Sequence, residues 1–368
     1  MRIVVLTNEY EPHILGGLGI VATRLTNALQ AYGHRLTVIT SRRAKRVATT
    51  RFQDVTLLEY PRDSEYHSSK GQRYFPAPVL HDFESRVKLP DVVHIHSVQF
   101  DDILYDMQRK YSCYSIYTCH SLISLEGDPG DHQSRMAARQ RAIIENVDAV
   151  VSPSQWQAQM LISQFPHIKD KVYVIPNGVT VSPSTRERPI HHALFVGRII
   201  RSKGINELIE AMAFLCRRET DARLDIIGRG NDKFIARMKQ FLRREHLSQC
   251  VRFLGHFNHA EVIDYMKVSG AVLVPSHNES FGLVALEAMA SGTPLIATQA
   301  GGMQEFVDSS VATIIADHTS TQIARAVRSA WRNPERTEEK RLAALARAQN
   351  YSWEAIALQY DALLRGTN

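Results

Sequence analysis

Glu279 and Glu287 stand eight residues apart in HNESFGLVALEAMASGTPLIAT, the stretch from His277 to Thr298. A strand-like VLVP ends at Pro275, and a polar turn follows in which Ser280 is a candidate N-cap. Leu283, Val284, Leu286, Glu287 and Met289 then fit a helix that ends at Gly292, with Pro294 beyond it where a helix cannot continue. A loop carboxylate, a helix N-terminus and a second carboxylate two turns later suit a sugar joined to a diphosphate. The helix amides and dipole favour phosphate. The carboxylates would take hydroxyls, one pair on a ribose and one on a hexose. The plain alternative is a buried amphipathic helix with one solvated glutamate.

Further chemistry sits at other strand ends. VGRIIRSKGINEL places Arg198 and Lys203 on one strand-to-helix loop, with Arg201 between them. Two fixed cations there could neutralise a departing diphosphate without a metal, although a solvated basic turn would look the same. Gly16, Gly17 and Gly19 precede the first long helix, where glycine lets backbone approach a phosphate. They also fit GxGxxA loosely, but they lie about ten residues beyond the strand, and the second strand carries no acidic residue for an adenosine ribose, so a dinucleotide reading loses ground, and a plain helix-entry turn is the alternative. His120 follows YSIYTC and could bond a sugar hydroxyl. His94 and His96 share a face of VVHIHS, being two apart. No third ligand at a recognisable spacing accompanies them, so structural histidines at a strand end are the plain reading, with His96 the better functional candidate.

Alternating strands and helices must position these groups. IVVLT, RLTVIT, VTLLEY, VVHIHS, YSIYTC and AVVSPS read as strands, with GIVATRLTNALQAYGH, ILYDMQRKY and RMAARQRAIIENV as helices between them. VTVSPSTRERPIHH, from Val179 to His192, reads as a linker. A second series follows: ALFVGR, RLDIIGRG, VRFLGHF, AVLVPS and PLIAT, with helices between. The pattern implies βαβ units and parallel sheets in two halves, with ligands beyond the carboxyl ends of the strands. A last helix, SWEAIALQYDALLRG, could pack on either half.

The bulk numbers agree. The chain has 368 residues, 44% hydrophobic and 22% charged, enough for two domains with large cores. Its four cysteines show neither CxxC nor zinc spacing, and are expected as free thiols in a reducing compartment. The N-terminal apolar run is a first strand, too short for a signal peptide, and no run approaches a membrane helix; a cytoplasmic location is expected. The net charge of +6 suits nucleic acid, an anionic membrane or a polyphosphate substrate equally. Arg42, Arg43, Lys45, Arg46 and Arg51 form the sharpest basic cluster, without a nucleic-acid motif: a solvated loop, or a peripheral contact with anionic membrane.

The spacing from Glu279 to Glu287 resembles the E-x7-E signature of retaining GT-B glycosyltransferases of family 4. GGLG, DVVHIHS, TCHSL, VIPNGV, VGRIIRSKG, IIGRG, VRFLGHF and YSWEAIA are similar to that family's motifs and keep its order along almost the whole chain. The resemblance implies an α/β GT-B fold, two Rossmann-like domains facing across a deep cleft. It implies an acceptor-binding domain over residues 1–182, a nucleotide-sugar domain over 190–347, and a C-terminal helix over 348–368 that crosses back to the first. Glu279 would hold the donor sugar and Glu287 the ribose. Arg198 and Lys203 would grip the diphosphate, helped by the amides of Leu283 and Val284. Ser280, Phe281 and Gly282 would complete that loop. Gly16 and Gly17 would close over the donor, His120 would touch its sugar, and His96 would face the acceptor. Gly228 and Phe257 would line the base pocket. Arg229 departs from the acidic or small residue common at its position, which leaves the donor base open.

The resemblance implies a hexosyltransferase that needs no metal or other cofactor. Its partners would be a nucleotide-sugar donor, UDP-linked or alternatively GDP-mannose, and a glycan, lipid or small-molecule acceptor, with no nucleic acid. The alternatives are a GT-B-fold nucleotide-sugar epimerase and a non-catalytic binder of nucleotide sugar or nucleic acid.

Overall fold

The computed structural model describes residues 1–42, 48–52, 55–61, 83, 85, 89–125, 131–219 and 221–366. Arg43, Lys45 and Arg46 of the basic loop expected at a membrane lie outside the described residues, as does the side chain of Arg42. Among the described residues no helix is long and apolar enough to cross a membrane. The chain divides into two compact units, Met1–Gly178 with Trp353–Asn368, and Val179–Ser352.

In the first unit the chain runs β1 (Arg2–Leu6), α1 (Gly17–Ala31), β2 (Arg35–Arg42), β3 (Ala48–Phe52), β4 (Val55–Pro61), β5 (Val92–Ile95), α2 (Asp101–Lys110), β6 (Tyr114–Thr118), α3 (Asp131–Asn146), β7 (Ala149–Ser152), α4 (Gln155–Gln164) and β8 (Val172–Val174). The strand order is β3-β4-β2-β1-β5-β6-β7-β8, with only the β3–β4 pair antiparallel among these. VVHI and AVVS are buried along their whole length, as strands covered on both faces must be. The order reverses between β1 and β5, so the loops after those two strands diverge and leave room for a ligand.

The second unit runs β9 (His192–Val196), α5 (Ile205–Cys216), β10 (Arg223–Ile227), α6 (Asp232–Arg244), β11 (Val251–Gly255), α7 (His259–Val268), β12 (Ala271–Val274), α8 (Leu283–Ala290), β13 (Leu295–Ala297), β14 (Thr313–Ile314), α9 (Ser320–Arg332) and α10 (Pro334–Ala348). Its parallel sheet has the order β11-β10-β9-β12-β13-β14. The order reverses between β9 and β12, the strands that lead to Lys203 and Glu279.

The last helix, α11 (Trp353–Arg365), belongs to the first unit and packs on α1. Asp361 takes the buried His34 at 2.8 Å, and the Tyr32 hydroxyl donates to the Glu354 carbonyl at 3.1 Å. The Trp353 ring lies against Gly178, where a Cβ would strike it.

The segment from Val179 to His192 runs without helix or named strand up to β9 and is held against the second unit: Val179 N–H donates to the Tyr351 carbonyl at 2.7 Å, Ser182 N–H to that of Ala290 at 3.0 Å and Ser184 N–H to that of Ser291 at 3.3 Å. One expectation needs correction: not all four cysteines are free thiols. Cys216 and Cys250 form a disulfide with Cα atoms 6.3 Å apart, because the end of α5 packs beside the start of β11. Cys113, partly buried, and Cys119, buried, stay outside any disulfide.

Candidate active site

The loops after β9 and β12 bring the cation and the carboxylate together. Lys203 sits on a 3₁₀ turn, and its amine donates to Glu279 Oε1 at 2.6 Å. The Ser276 hydroxyl donates to the same oxygen at 2.8 Å. Both partners of the ion pair are mostly enclosed, with side chains 18% and 16% exposed. The Glu279 carbonyl accepts from Gly302 N–H at 2.8 Å, which fixes the backbone of its loop.

Helix α8 begins two residues later than Ser280 would start it. Its N-cap is Gly282, at φ 101°, a left-handed conformation that suits glycine; a Cβ there would also run into Met303. The chain therefore turns sharply into the helix, and the first-turn amides of Leu283 and Val284 have no acceptor within the helix. Phe281 is buried at 4% exposure against Phe306 and Tyr351, so its ring anchors the turn in the core and only its backbone can serve a ligand. Glu287 is 5% exposed, and its Oε1 lies 2.8 Å from His259 Nε2. Arg198 is exposed on the loop after β9. Gly228 follows β10, where a Cβ would collide with the Gly197 carbonyl; glycine is what lets these two strand ends approach. Phe257 packs edge-on to Tyr265, with centroids 5.8 Å apart.

Gly16, Gly17, His120 and His96 belong to the first unit. Gly16 caps α1 and Gly17 opens it. The carboxylate of Glu9 accepts from the amides of Leu15 and Gly16, each at 2.9 Å. Glu9 thus sets the shape of the glycine turn. His120 lies two residues beyond β6, and its Nε2 is 3.0 Å from His96 Nδ1. His94 packs 4.2 Å from His96, and its Nε2 is 2.7 Å from Thr118 Oγ1, which meets the Tyr360 hydroxyl of α11 at 3.0 Å. Among the described residues no three His, Cys, Asp or Glu side chains gather as a metal ion would require.

Burial drives the histidines toward neutrality. It pushes His94 down to about 3, helped by His120, and His120 down to about 4; His96 is held well below its ordinary value by burial and both neighbours. Unfolded histidine titrates near 6.5. Between that value and the folded values the unfolded chain binds more protons, so stability rises with pH and is lost on acidification. Each fully shifted histidine contributes a slope of about 1.4 kcal/mol per pH unit in that window. Urea unfolding at pH 7.5 and pH 5.5 should show this loss, and a His94→Asn, His96→Asn double variant should flatten it. Equal slopes in the two proteins would exclude the trio as its source.

Glu9, Ser276 and His259 are the residues that sequence reasoning missed. His259 opens α7 beside an Asn258–Glu261 capping box, a visible helix start that gives no hint of the contact with Glu287.

The model described as Glycosyltransferase Family 4 matches residues 15–182, and that of Glycosyl transferases group 1 matches residues 188–349. Glycogen synthase of Mycobacterium tuberculosis is 26% identical over 393 aligned positions, covering 97% of this chain and 92% of the relative. Among solved structures, sucrose-phosphate synthase from Thermosynechococcus elongatus superposes with a TM-score of 0.81 at 21% identity, over 100% of this chain and 98% of the other. Anabaena HepE in complex with UDP and glucose does so with a TM-score of 0.77 at 20% identity, over 99% of each chain.

Proposed function

Because the chain belongs to family 4 of the glycosyltransferases, the group 1 enzymes of GT-B fold, we propose that it moves a hexosyl group, with retention and without a metal ion, from a nucleoside diphosphate sugar to an acceptor hydroxyl. The observation that carries this reading is the Lys203–Glu279 contact at the switch point of the second sheet, with Glu287 two turns down α8.

The residues divide the work. Lys203 uses one of its three donors on Glu279, and the others suit diphosphate oxygens, with Arg198 as the second cation. The ion pair orients both groups, so Glu279 presents its second oxygen to sugar hydroxyls. The first amides of α8 face the diphosphate. Glu287, steadied by His259, takes the ribose hydroxyls. The bond from the anomeric carbon to the diphosphate oxygen breaks as the acceptor oxygen bonds on the same face. The acceptor proton passes to the departing diphosphate, so no protein base is required. Neutral His120 offers a hydrogen bond rather than a charge to the sugar, and His96 faces the acceptor side.

A UDP-linked hexose is the favoured donor. HepE was solved with UDP and glucose, and the Mycobacterium tuberculosis relative, aligned over 97% of this chain, is named a glycogen synthase. GDP-mannose is the rival donor. The test is nucleoside diphosphate release across UDP, GDP and ADP sugars, with chelator present and pooled sugar, lipid and small-alcohol acceptors. Release from one donor, dependent on acceptor, is expected. A sugar isomer formed from donor alone would replace the reading with an epimerase.

The glycine turn gives a second check. Glu9→Ala removes the charged acceptor of two amides. Those amides are exposed to water, so stability should hold while the donor KM rises by about tenfold. An unchanged donor KM would detach Glu9, and with it Gly16, from donor binding.

A further inference from the structure

The opposite end of the second sheet holds a cavity that the transfer reaction does not use. It is an open pocket of about 670 Å³, lined by Arg188, His191, His192, Arg223, Arg252 and Trp331, with Asp221 at its edge. His192 and Arg223 open β9 and β10, whereas Lys203 and Glu279 follow the carboxyl ends of β9 and β12. In parallel strands of five residues the two places are separated by roughly 16 Å.

Among the described residues, two buried donors behind its wall lack acceptors. Trp331 is 7% exposed and its Nε1 has no partner; Arg188 Nε is buried and has none either. A buried donor left unmatched costs about 1–3 kcal/mol, and native structures keep few of them. Among the described residues no carboxylate lies within ion-pair distance of Arg188, whose Nη2 donates to the Ser184 carbonyl at 3.2 Å. Burial, with the neighbouring Arg341, lowers its pKa against the pull of Glu338. It is a cation that gains from an incoming anion.

The nearby carboxylates are committed elsewhere. Asp225 lies fully buried beneath the cavity, where His192, Arg252 and Tyr265 all bond it. Asp221 is tied to His191 at 2.7 Å, and Glu338 is gripped twice by Arg341. Three guanidinium groups, that of Arg252 already bonded twice to Asp225, line the cavity, and the three nearby carboxylates are in use. The guanidinium fork matches phosphate oxygens in geometry as well as charge. The His191 ring lies tilted at 49° against Trp331, with centroids 4.8 Å apart.

We propose that this cavity is a second ligand site, which binds a phosphate group, either free or carried by a small phosphomonoester. The proposal rests on these residues alone and stands apart from the assigned transferase chemistry.

Fluorine NMR of the full chain labelled with 5-fluorotryptophan tests it. The chain has three tryptophans, and Trp331→Phe assigns the resonance in question. Inorganic phosphate and a hexose 6-phosphate are titrated separately at constant ionic strength, with chloride as control. The Trp331 signal should move saturably, while Trp156 and Trp353 stay in place. Arg188→Gln, or Arg223→Gln if the first variant folds poorly, should weaken the apparent Kd by at least about tenfold, equivalent to ~1.4 kcal/mol. Lys203→Ala should leave it unchanged, which separates this site from the diphosphate loop. Tighter binding of the hexose phosphate supports a metabolite as the source, and tighter binding of phosphate supports the free ion. The proposal is overturned by the absence of a saturable Trp331 shift, by an equal response to chloride, or by an Arg188→Gln titration that matches wild type.

Discussion

Lys203→Ala is expected to lower turnover by on the order of 10² or more while leaving the fold intact. The amine stands on a short turn outside the core, so its loss opens no cavity. Glu279 keeps the Ser276 hydroxyl as a partner and has some access to water, so it is not stranded. The loss falls on the transition state. Negative charge on the diphosphate grows as the sugar leaves, and a cation fixed within a poorly solvated loop stabilises the later state more than the earlier one. Turnover at saturating donor should therefore fall, together with kcat over KM. Lys203→Arg should recover only part, since the planar fork does not reproduce a compact ammonium. The measurement is steady-state diphosphate release with chelator present, alongside a urea midpoint to establish folding. A variant with near wild-type turnover and a raised donor KM would make Lys203 a ground-state binding residue and remove its assigned role.

What could be read without the fold depended on distance along the chain. The Glu279–Glu287 pair, the helix N-terminus between them and the α/β alternation all lie within short windows, where spacing translates directly into geometry. Buried runs such as VVHI and AVLV announce parallel strands by composition. The Lys203–Glu279 contact joins residues 76 apart. Both could be nominated separately, but their pairing follows from β9 lying beside β12, which no local pattern encodes. Glu9 and His259 escaped notice for the same reason: each acts by holding another residue, and neither stands in a motif. The disulfide joins cysteines 34 apart through helix-on-sheet packing, so their spacing was silent. Phe281 shows the reverse limit. It lies inside the densest motif in the chain, yet its ring serves the core, because a sharp turn into a helix needs an apolar anchor behind it.

Asp225→Ala is expected to lower the unfolding free energy by about 3–5 kcal/mol. The carboxylate is wholly buried in β10 and takes four contacts. Arg252 donates from Nε and Nη2, both at 2.6 Å; His192 Nε2 lies at 2.8 Å, and the Tyr265 hydroxyl donates at 2.5 Å. Alanine would leave His192 and Tyr265 facing a hole, while Arg252, half exposed, can turn to water. The penalty should therefore sit toward the lower end of that range. Burial alone would raise the pKa of Asp225, but the bonds from His192, Arg252 and Tyr265 outweigh it and hold the group well below the usual carboxylate range. A carboxylate depressed in the folded state contributes stability above its unfolded pKa and loses it as pH falls through the folded value. The gap between wild type and Asp225→Ala should therefore be constant from pH 5 to pH 8 and narrow below about pH 4. Urea unfolding across that range measures it, with Asp225→Asn keeping the shape and removing the charge. A gap under about 1 kcal/mol at pH 7 would mean that burying this network costs as much as its bonds return. The same strand leads from Asp225 to Gly228, so rigidity at its centre reaches the loop proposed to hold the base.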